Sequence, residues 1–240
     1  MINEVSIELI KDKIQIIEHH EQKICLVGPV QMPITLHEST VFFQWYTWMD
    51  VTDLHIKDKR QFIQSLPSLD LANLQQSSVL TFGNFEESED AWIRMHSICH
   101  TGDIFGSKKC DCGFQLQKSI QKIVENQCGA LFYIANQEGR GIGLLNKSLT
   151  YILQENGYDT LEANTSLGFQ EDQRNYEEAS IVLNHLRKKS VSLMTNNPLK
   201  VNALRLMGVN ISKRVSIWGN SSQYNYRYIH TKINKCKHII

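Results

Sequence analysis

Apolar positions change their spacing along the chain, and these changes predict where helices and strands lie. Residues 3–22 are polar with interspersed apolar positions, which predicts an amphipathic helix. Residues 23–48 are rich in apolar and β-branched side chains and predict short strands, with Pro29 and Pro33 as breaks. Residues 53–77 turn polar again, and we interpret them as an inserted helix and loop.

From residue 79 onward, strand patterns alternate with helix patterns. Compact apolar runs predict strands at 79–83, 91–98, 130–135 and 190–194. Amphipathic stretches predict helices at 113–126, 144–156, 175–188 and 198–208. Repeated strand, loop and helix order predicts an α/β protein with a mixed sheet and flanking helices.

Charge and composition limit the classes of partner. The 240 residues include 25 basic and 25 acidic side chains, so no strong field favours nucleic acid or an anionic membrane as a partner. The first residues carry acids early and lack a long apolar run, so we expect neither a signal peptide nor a membrane span. A cytoplasmic, reducing location follows, in which thiols are available as metal ligands.

Three of the six cysteines lie in the stretch RMHSICHTGDIFGSKKCDCGFQ. Cys110 and Cys112 are two residues apart and can close on one ion, and the ten-residue loop lets Cys99 return to the same point. Three thiolates leave one corner of a zinc tetrahedron for water or substrate, which favours a catalytic site. The alternatives are a stretch without metal, or a structural site closed by one of four nearby donors, His96, His100, Asp103 or Cys128.

Two strand-to-helix loops have the composition of anion sites. The loop QEGRGIGLLNK contains Gly139 and two further glycines that free backbone N–H groups to turn inward, and Arg140 offers a bidentate fork for phosphate. Thr195 and Lys200 lie in the second loop, again at a predicted helix start. Each loop alone is weak evidence, because many glycine-rich turns exist for the turn itself. Beside three thiolates, the two loops favour a phosphorylated substrate.

From about residue 79 onward the chain resembles GTP cyclohydrolase II, the enzyme family that opens riboflavin synthesis. The matching segments follow the family's order and spacing: RMHSICHTGDIFGSKKCDCGFQLQ, NQEGRGIGLLNK, YDTLEAN, LGFQEDQRNY, TNNPLKV and, more faintly, YIHTK. The resemblance divides the chain into an N-terminal extension over 1–78 and a catalytic region over 79–240.

The resemblance implies a reaction, cofactors and site residues. GTP and water would give a diaminopyrimidinone ribosyl 5′-phosphate, formate and pyrophosphate, in an enzyme that is a homodimer. One zinc ion per chain would be held by Cys99, Cys110 and Cys112, with magnesium on the triphosphate. The implied GTP-binding residues are Arg94, Gln115, Glu138, Gly139, Arg140, Thr160, Thr195 and Lys200. Asp172 would be the proton acceptor, Arg174 the nucleophile towards the α-phosphate, and Tyr151 would accompany complete reaction to formate.

Elementary chemistry disputes one of these roles. A guanidinium has a pKa above about 12 and no lone pair to offer, so Arg174 is a poor nucleophile at neutral pH. We favour stabilisation of charge on the α-phosphate, with Asp172 orienting or deprotonating water. A surface salt bridge is the structural alternative for this pair, and a core aromatic residue is the alternative for Tyr151.

Two positions depart from the family's usual pattern. Ile98 stands where the family usually has Glu, and His100 replaces a commonly apolar residue. The lost carboxylate leaves two alternatives to a GTP cyclohydrolase II. One is a paralogue with an altered purine nucleotide substrate or an incomplete reaction, and the other is a zinc-stabilised nucleotide-binding protein without turnover. The alternative of a protein without turnover is disfavoured because the chain retains Asp172, Arg174 and Tyr151.

Overall fold

A mixed sheet forms the centre of the computed structural model, which describes residues 2–239. Its eight strands within that range are β1 (Ile14–His19), β2 (Gln22–Leu36), β3 (Ser39–Asp50), β4 (Ser77–Phe82), β5 (Trp92–Ser97), β6 (Gly129–Ile134), β7 (Val191–Met194) and β8 (Ile211–Val215). Their order across the sheet is β1-β2-β3-β4-β6-β5-β7-β8. The predicted α/β class with a mixed sheet is therefore confirmed.

Helices flank the sheet. In the described range they are α1 (Glu4–Ile10), α2 (Lys59–Ser65), α3 (Cys112–Glu125), α4 (Leu144–Glu155), α5 (Thr160–Ser166), α6 (Glu177–Leu186), α7 (Pro198–Leu206) and α8 (Tyr226–Asn234). A π-helical turn (His100–Ile104) follows β5, and a 3-10 segment (Ala135–Arg140) follows β6. None of these helices combines the length and apolar character that a membrane crossing needs.

The parallel part of the sheet determines where a site can form. β5 lies between β6 and β7 and runs parallel to both, so the carboxyl ends of all three strands meet at one edge. Cys99, Glu138 and Thr195 lie one to four residues beyond the ends of β5, β6 and β7 respectively. Ligands of open α/β sheets bind outside the carboxyl ends of parallel strands. Residues that the sequence separates by about forty positions or more thus become neighbours.

Apolar clusters cover both faces of the sheet. Leu131 and Phe132 are adjacent on β6 but belong to different clusters, because successive strand residues point to opposite faces. The cluster of Leu131 includes Ile123 of α3, and the cluster of Phe132 includes Leu183 of α6. Each large side chain buried in this way contributes about 1.5–3 kcal/mol. The two clusters therefore hold α3 and α6 against opposite faces.

The residues before β4 continue the same sheet. β1, β2, β3 and β4 form antiparallel pairs in sequence order, and β4 pairs with β6. A separate apolar cluster joins Ile7 of α1, Ile14 of β1 and Ile63 of α2. Hydrogen bonding therefore connects the first strands directly to the strands that carry the candidate site.

Two predictions for the first fifty residues are wrong. The helix predicted over 3–22 ends at Ile10, and Ile14–His19 forms an edge strand paired with β2, because pairing and burial of β-branched residues outweigh the helical pattern. The predicted breaks do not end β2 either. Pro29 lies at a register shift between Val27 and Val30, and Pro33 stays within the strand.

From residue 79 onward the predicted elements are confirmed with small shifts at their ends. Pro198 is the first residue of α7, and the Asn197 side chain caps this helix by accepting a hydrogen bond from the Leu199 N–H. The sequence patterns did not indicate α5, β8 or α8. These three elements are short, and α5 depends on a capping box formed by Asp159 and Glu162.

Candidate active site

A pocket opens at the carboxyl ends of β5, β6 and β7. It collects all but one of the residues that the sequence analysis assigned to the site: Arg94, Cys99, Cys110, Cys112, Gln115, Glu138, Gly139, Arg140, Tyr151, Thr160, Arg174, Thr195 and Lys200. The exception, Asp172, does not line the pocket but forms an ion pair with Arg174, which does. The mixture of polar and apolar residues along its walls is typical of a small-molecule site.

Three thiols converge on one side of this pocket. Cys99 follows β5, whereas Cys110 and Cys112 lie at the start of α3, and the three Sγ atoms are all within 4.8 Å of one another. Gly102 faces them: a Cβ atom there would lie 2.8 Å from the Cys110 Sγ and 3.1 Å from the Cys99 Sγ. Soft thiolate donors at this spacing fit a zinc ion, and the missing side chain leaves room around them.

A fourth protein ligand does not join the group within the described residues. Asp103 accepts hydrogen bonds from the His96 Nε2 (3.0 Å) and from the Cys99 N–H (2.9 Å). The His96 ring and the Asp103 carboxylate are therefore hydrogen-bonded to each other. The His100 ring packs edge-on against Phe105. Cys128 lies elsewhere and donates to the Asn84 carbonyl. The four donors named for a structural site therefore have other partners.

Lys147 and Glu138 form a buried ion pair beside the thiols. The Lys147 Nζ lies 2.6 Å from a Glu138 carboxylate oxygen and 3.2 Å from the Cys99 Sγ. The other Glu138 oxygen accepts a hydrogen bond of 2.6 Å from the His100 N–H. Hydrogen bonds with Cys110 and Cys112 lower the pKa of the Cys99 thiol, and the Lys147 charge adds to this effect. The ammonium thus offsets negative charge at the thiols and connects two loops.

A chain of hydrogen bonds crosses the floor of the pocket. Arg94 of β5 donates to the Met194 carbonyl at 3.0 Å and to the Gln115 side chain at 2.6 Å. Gln115 donates in turn to Asp111, and the opposite Asp111 oxygen accepts from Lys232 of α8 at 2.8 Å. Because Asp111 lies between two of the thiols in sequence, this chain of hydrogen bonds fixes the loop that carries Cys110 and Cys112 to β5 and to α8.

Lys200 is a deeply buried basic side chain of the pocket wall. Its Nζ donates to the Met95 carbonyl at 2.8 Å and lies 5.1 Å from the centre of the Tyr176 ring. Burial, together with the charges of Arg94 and Arg174, lowers the pKa of Lys200 well below its usual value. An incoming anion would relieve this repulsion, so the group is suited to binding phosphate.

Arg174 and Asp172 face each other through two parallel hydrogen bonds. The Nε donates to one carboxylate oxygen at 2.8 Å, and an Nη donates to the other. Burial opposes the charge on each partner, but Tyr176 and Asp172 raise the pKa of Arg174, and Arg174 lowers the pKa of Asp172. Both groups are therefore charged at neutral pH. The pair lies at the pocket wall, partly buried, rather than on an open surface loop.

Comparison with known proteins agrees with the segments that the sequence analysis quoted. A family model described as GTP cyclohydrolase II matches residues 69–216, which is more than half of the chain. The chain belongs to the GTP cyclohydrolase II family. The matched range contains the three thiols, both predicted anion loops and the Arg174–Asp172 pair.

Several curated relatives of this family are similar over most of the matched range. A GTP cyclohydrolase-2 of Colwellia psychrerythraea is 43% identical over 166 residues, which cover 69% of this chain and 82% of the relative. A GTP cyclohydrolase-2 of Pseudomonas putida is 45% identical over 172 residues, covering 72% and 83%. The riboflavin biosynthesis protein RibBA of Bacillus subtilis is 46% identical over 152 residues, covering 63% of this chain and 38% of that longer protein.

Ile98 is the departure from the family pattern that lies on the pocket wall. It follows β5 directly, and its N–H donates to the Ile134 carbonyl at 3.1 Å, so the backbone continues the β5–β6 ladder. The side chain lines the same pocket as Cys99 and Tyr151. Ile98 therefore contributes an apolar side chain to this part of the pocket wall.

The sequence analysis missed several residues that line the pocket. Four of them are Lys147, Tyr228, Lys232 and His238. The first three lie inside segments that match the family, at the end of NQEGRGIGLLNK and in YIHTK, so a signal was present. His238 lies outside every matching segment, and only the path of the chain after α8 brings it to the pocket.

Replacing Lys147 with Met should lower the free energy of unfolding by about 3–5 kcal/mol, because Glu138 would remain buried without a charge partner. Urea denaturation measures this change, with a chelator present throughout so that metal loss does not contribute. The double variant Lys147→Met with Glu138→Gln removes both charges and should recover most of the loss. Equal stability of the single variant and the wild type would show that the pair does not stabilise the fold.

Proposed function

We propose that this protein hydrolyses GTP, opening the guanine imidazole ring and releasing formate and pyrophosphate. The remaining product is 2,5-diamino-6-ribosylamino-4(3H)-pyrimidinone 5′-phosphate, so the reaction is the first step of riboflavin biosynthesis. The observation that carries this proposal is one pocket with three converging thiols on one side and the cations Arg140, Arg174 and Lys200 on the other walls. Membership of the GTP cyclohydrolase II family supports the same reaction.

The thiol side of the pocket is proposed to hold one zinc ion per chain, through Cys99, Cys110 and Cys112. Such an ion, when bound, supplies Lewis-acid activation of water. Lys147 lies against Cys99 and balances part of the negative charge of three thiolates. Asp103 holds the Cys99 backbone, so the thiol geometry is set before any ligand arrives.

The cationic side is proposed to bind the triphosphate. Arg140 projects from the glycine-rich loop after β6, and Thr195 and Lys200 lie around the capped start of α7, where backbone N–H groups favour anions. Arg94 and Gln115, already hydrogen-bonded to each other, present a preorganised polar floor between the phosphates and the thiols. Glu138, Gly139 and Thr160 complete the proposed binding set.

Asp172 and Arg174 are proposed to act as a unit. Arg174 remains protonated, so it stabilises charge that develops on the α-phosphate and does not attack it. Asp172 is ionised, and although each of its oxygens accepts a hydrogen bond from Arg174, a carboxylate oxygen has a second lone pair with which to orient water or take its proton. This assignment keeps the family's proton acceptor and replaces its arginine nucleophile by electrostatic stabilisation.

Magnesium is proposed to enter with the triphosphate. Within residues 2–239 the only group of three or more potential metal-ligating side chains is the cysteine group, and three soft thiolates are poor ligands for Mg²⁺. The nearest pocket carboxylates are already held by Lys147 and Arg174. A magnesium ion coordinated mainly by phosphate oxygens and water fits this arrangement.

We also propose a homodimer in the cytoplasm. Leu145, Leu149 and Ile152 of α4 recur at positions i, i+4 and i+7 and are exposed, so one face of this helix is apolar and open. A second copy of the chain would cover it. The unpaired thiols of all six cysteines suit a reducing compartment. Sedimentation of the purified protein tests the assembly, and a monomer at micromolar concentration would contradict it.

The direct test of function is incubation of the zinc-loaded protein with GTP and magnesium, with formate, pyrophosphate and the pyrimidine product each measured. Equal amounts of formate and pyrophosphate are expected. Because Ile98 replaces the usual carboxylate on the pocket wall, ATP and XTP serve as parallel substrates. Turnover of another purine nucleotide in preference to GTP would favour a paralogue with altered specificity, and binding without any product would favour a non-catalytic protein.

Tyr151 is placed to act late in the proposed reaction. Its ring lines the pocket, and its hydroxyl lies 3.3 Å from the Thr101 hydroxyl. Burial raises the pKa of Tyr151 to about 12, so the phenol remains a hydrogen-bond donor at neutral pH. A donor next to the thiols can bind the formamide oxygen or the second water.

The variant Tyr151→Phe should therefore accumulate the formylamino pyrimidine, because the ring and its packing stay while the donor is lost. Chromatography of the products measures the effect, and the melting temperature should change little. Tyr158→Phe is a matched control, since Tyr158 does not line the pocket. Formate release in step with pyrophosphate in the Tyr151 variant would leave the hydroxyl without this role.

A further inference from the structure

The five residues after α8 fold back across the pocket. This pocket strap, residues 235–239, makes contacts with two of the loops that form the pocket. The Ile239 N–H donates to the Asn196 carbonyl at 2.9 Å, and Arg140 donates to the Cys236 Sγ at 3.3 Å. The His238 N–H returns to α8 through a hydrogen bond of 3.0 Å to the Lys232 carbonyl. The strap is therefore attached to the loops after β6 and β7 and to α8.

The strap brings the His238 side chain into the pocket wall. Its ring is partly buried and lies 6.1 Å, centre to centre, from the Trp218 ring, which limits its orientation. No hydrogen bond joins its ring nitrogens to any residue in the described range 2–239. The ring thus has hydrogen-bonding capacity to offer to a ligand in the pocket.

Four basic side chains that line the same pocket as His238 come from four different segments of the chain. They are Lys232 of α8, Arg140 after β6, Arg174 before α6 and Lys200 of α7. The carboxylates nearest to these cations, Asp111 and Asp172, are already paired with Lys232 and Arg174. Burial and the four cations lower the pKa of His238 to about 3, so the ring is neutral at pH 7 in the ligand-free protein.

An anionic ligand reverses the balance of charge at this position. A triphosphate or pyrophosphate that neutralises the surrounding cations removes their repulsion and adds negative charge next to the ring. The charged imidazole then becomes favourable, and it can donate to a phosphate oxygen. Proton uptake should therefore accompany binding.

We propose that His238 is a substrate-binding residue whose imidazole takes up a proton as the phosphate chain enters the pocket and then hydrogen-bonds to it. This inference rests on the proposed GTP-hydrolysing function, because it assigns the ring to the triphosphate end of the same pocket. It predicts that affinity for the phosphate chain rises as the pH falls, and that this gain is lost as the pH rises through the pKa that His238 has in the complex.

The test compares the zinc-loaded wild type with His238→Gln and with His230→Gln. His230 is an exposed histidine on α8 that does not line the pocket, so its variant controls for general effects of losing an imidazole. Binding of inorganic pyrophosphate is measured by calorimetry between pH 6 and pH 9, in buffers of different ionisation enthalpy that report proton uptake. Phosphate groups also titrate near pH 6, so each comparison is made between proteins at the same pH.

At pH 6 the wild type and His230→Gln should bind pyrophosphate about tenfold more tightly than His238→Gln, because one charge-assisted hydrogen bond contributes about that factor. At pH 9 all three proteins should bind pyrophosphate with nearly equal affinity. The wild type and His230→Gln should also take up more protons than His238→Gln. The KM for GTP should show the same pH-dependent ratio. A ratio that does not change with pH, or equal proton uptake in all three proteins, would overturn the proposal and leave His238 a structural residue of the strap.

Two further outcomes separate this inference from the proposed function. If the wild type releases formate from GTP but His238→Gln has the same affinity and pH profile, the function stands and the inference fails. If the wild type binds pyrophosphate with histidine-dependent proton uptake but does not open GTP, the inference stands as an anion-binding role and the proposed reaction fails. Should His238→Gln not fold, absence of proton uptake by the wild type would by itself overturn the inference.

Discussion

Cys110→Ser should remove bound zinc and reduce ring opening of GTP to background, while the fold persists. A serine hydroxyl is a harder donor that is protonated at neutral pH, so two thiolates would remain to hold the ion. Cys110 belongs to none of the apolar clusters that cover the sheet, and the site lies at the strand ends rather than between the layers. Metal analysis should give one zinc per wild-type chain and far less in the variant, with little change in the circular dichroism spectrum.

Cys128→Ser is the matched control for this prediction. Cys128 is also buried, but its Sγ donates to the Asn84 carbonyl, a bond that serine can retain. The control should keep zinc and activity. Loss of zinc from the Cys128 variant would support a site with four protein ligands, and an active Cys110 variant would exclude zinc from the reaction.

Arg174→Ala should lower kcat for pyrophosphate release by about a hundredfold to a thousandfold, the cost of removing one preorganised donor from a developing charge. Asp172 would also lose its partner and become harder to ionise, since burial alone raises the pKa of a carboxylate. Arg174→Lys keeps a positive charge without the two parallel hydrogen bonds, so it should recover part of the loss. Rapid quenching with α-labelled GTP measures both the rate and any label bound to protein.

The same experiment decides between the two roles considered for Arg174. Electrostatic stabilisation predicts no phosphate covalently attached to the wild type at any time after mixing. A labelled protein adduct that forms and decays at the rate of turnover, and that is absent from Arg174→Ala, would restore the arginine as a nucleophile. Asp172→Asn is the companion variant, because it keeps the hydrogen-bonding geometry while removing the proton acceptor.

Short-range sequence signals predicted most helices and strands from residue 79 onward. The apolar run at 130–135 and the stripe on 113–126 correspond to β6 and α3, because burial on a regular period leaves its mark within a few residues. The predicted start of the helix 198–208 was correct for the same reason, because Pro198 suits a first helical turn. The first fifty residues were harder, since Ile14–His19 becomes a strand only through its distant partner β2.

The sequence by itself determined the chemistry of the site: three cysteines at a spacing that suits one metal ion, two loops suited to anions, and the segments that identify the family. Only the tertiary structure decided which other side chains share the pocket. Lys147 reaches Cys99 across 48 positions, and Lys232 reaches Asp111 across 121. His238 enters the pocket through the strap. Such contacts depend on chain paths between elements, and local patterns of polarity do not encode them because each partner is ordinary in its own segment.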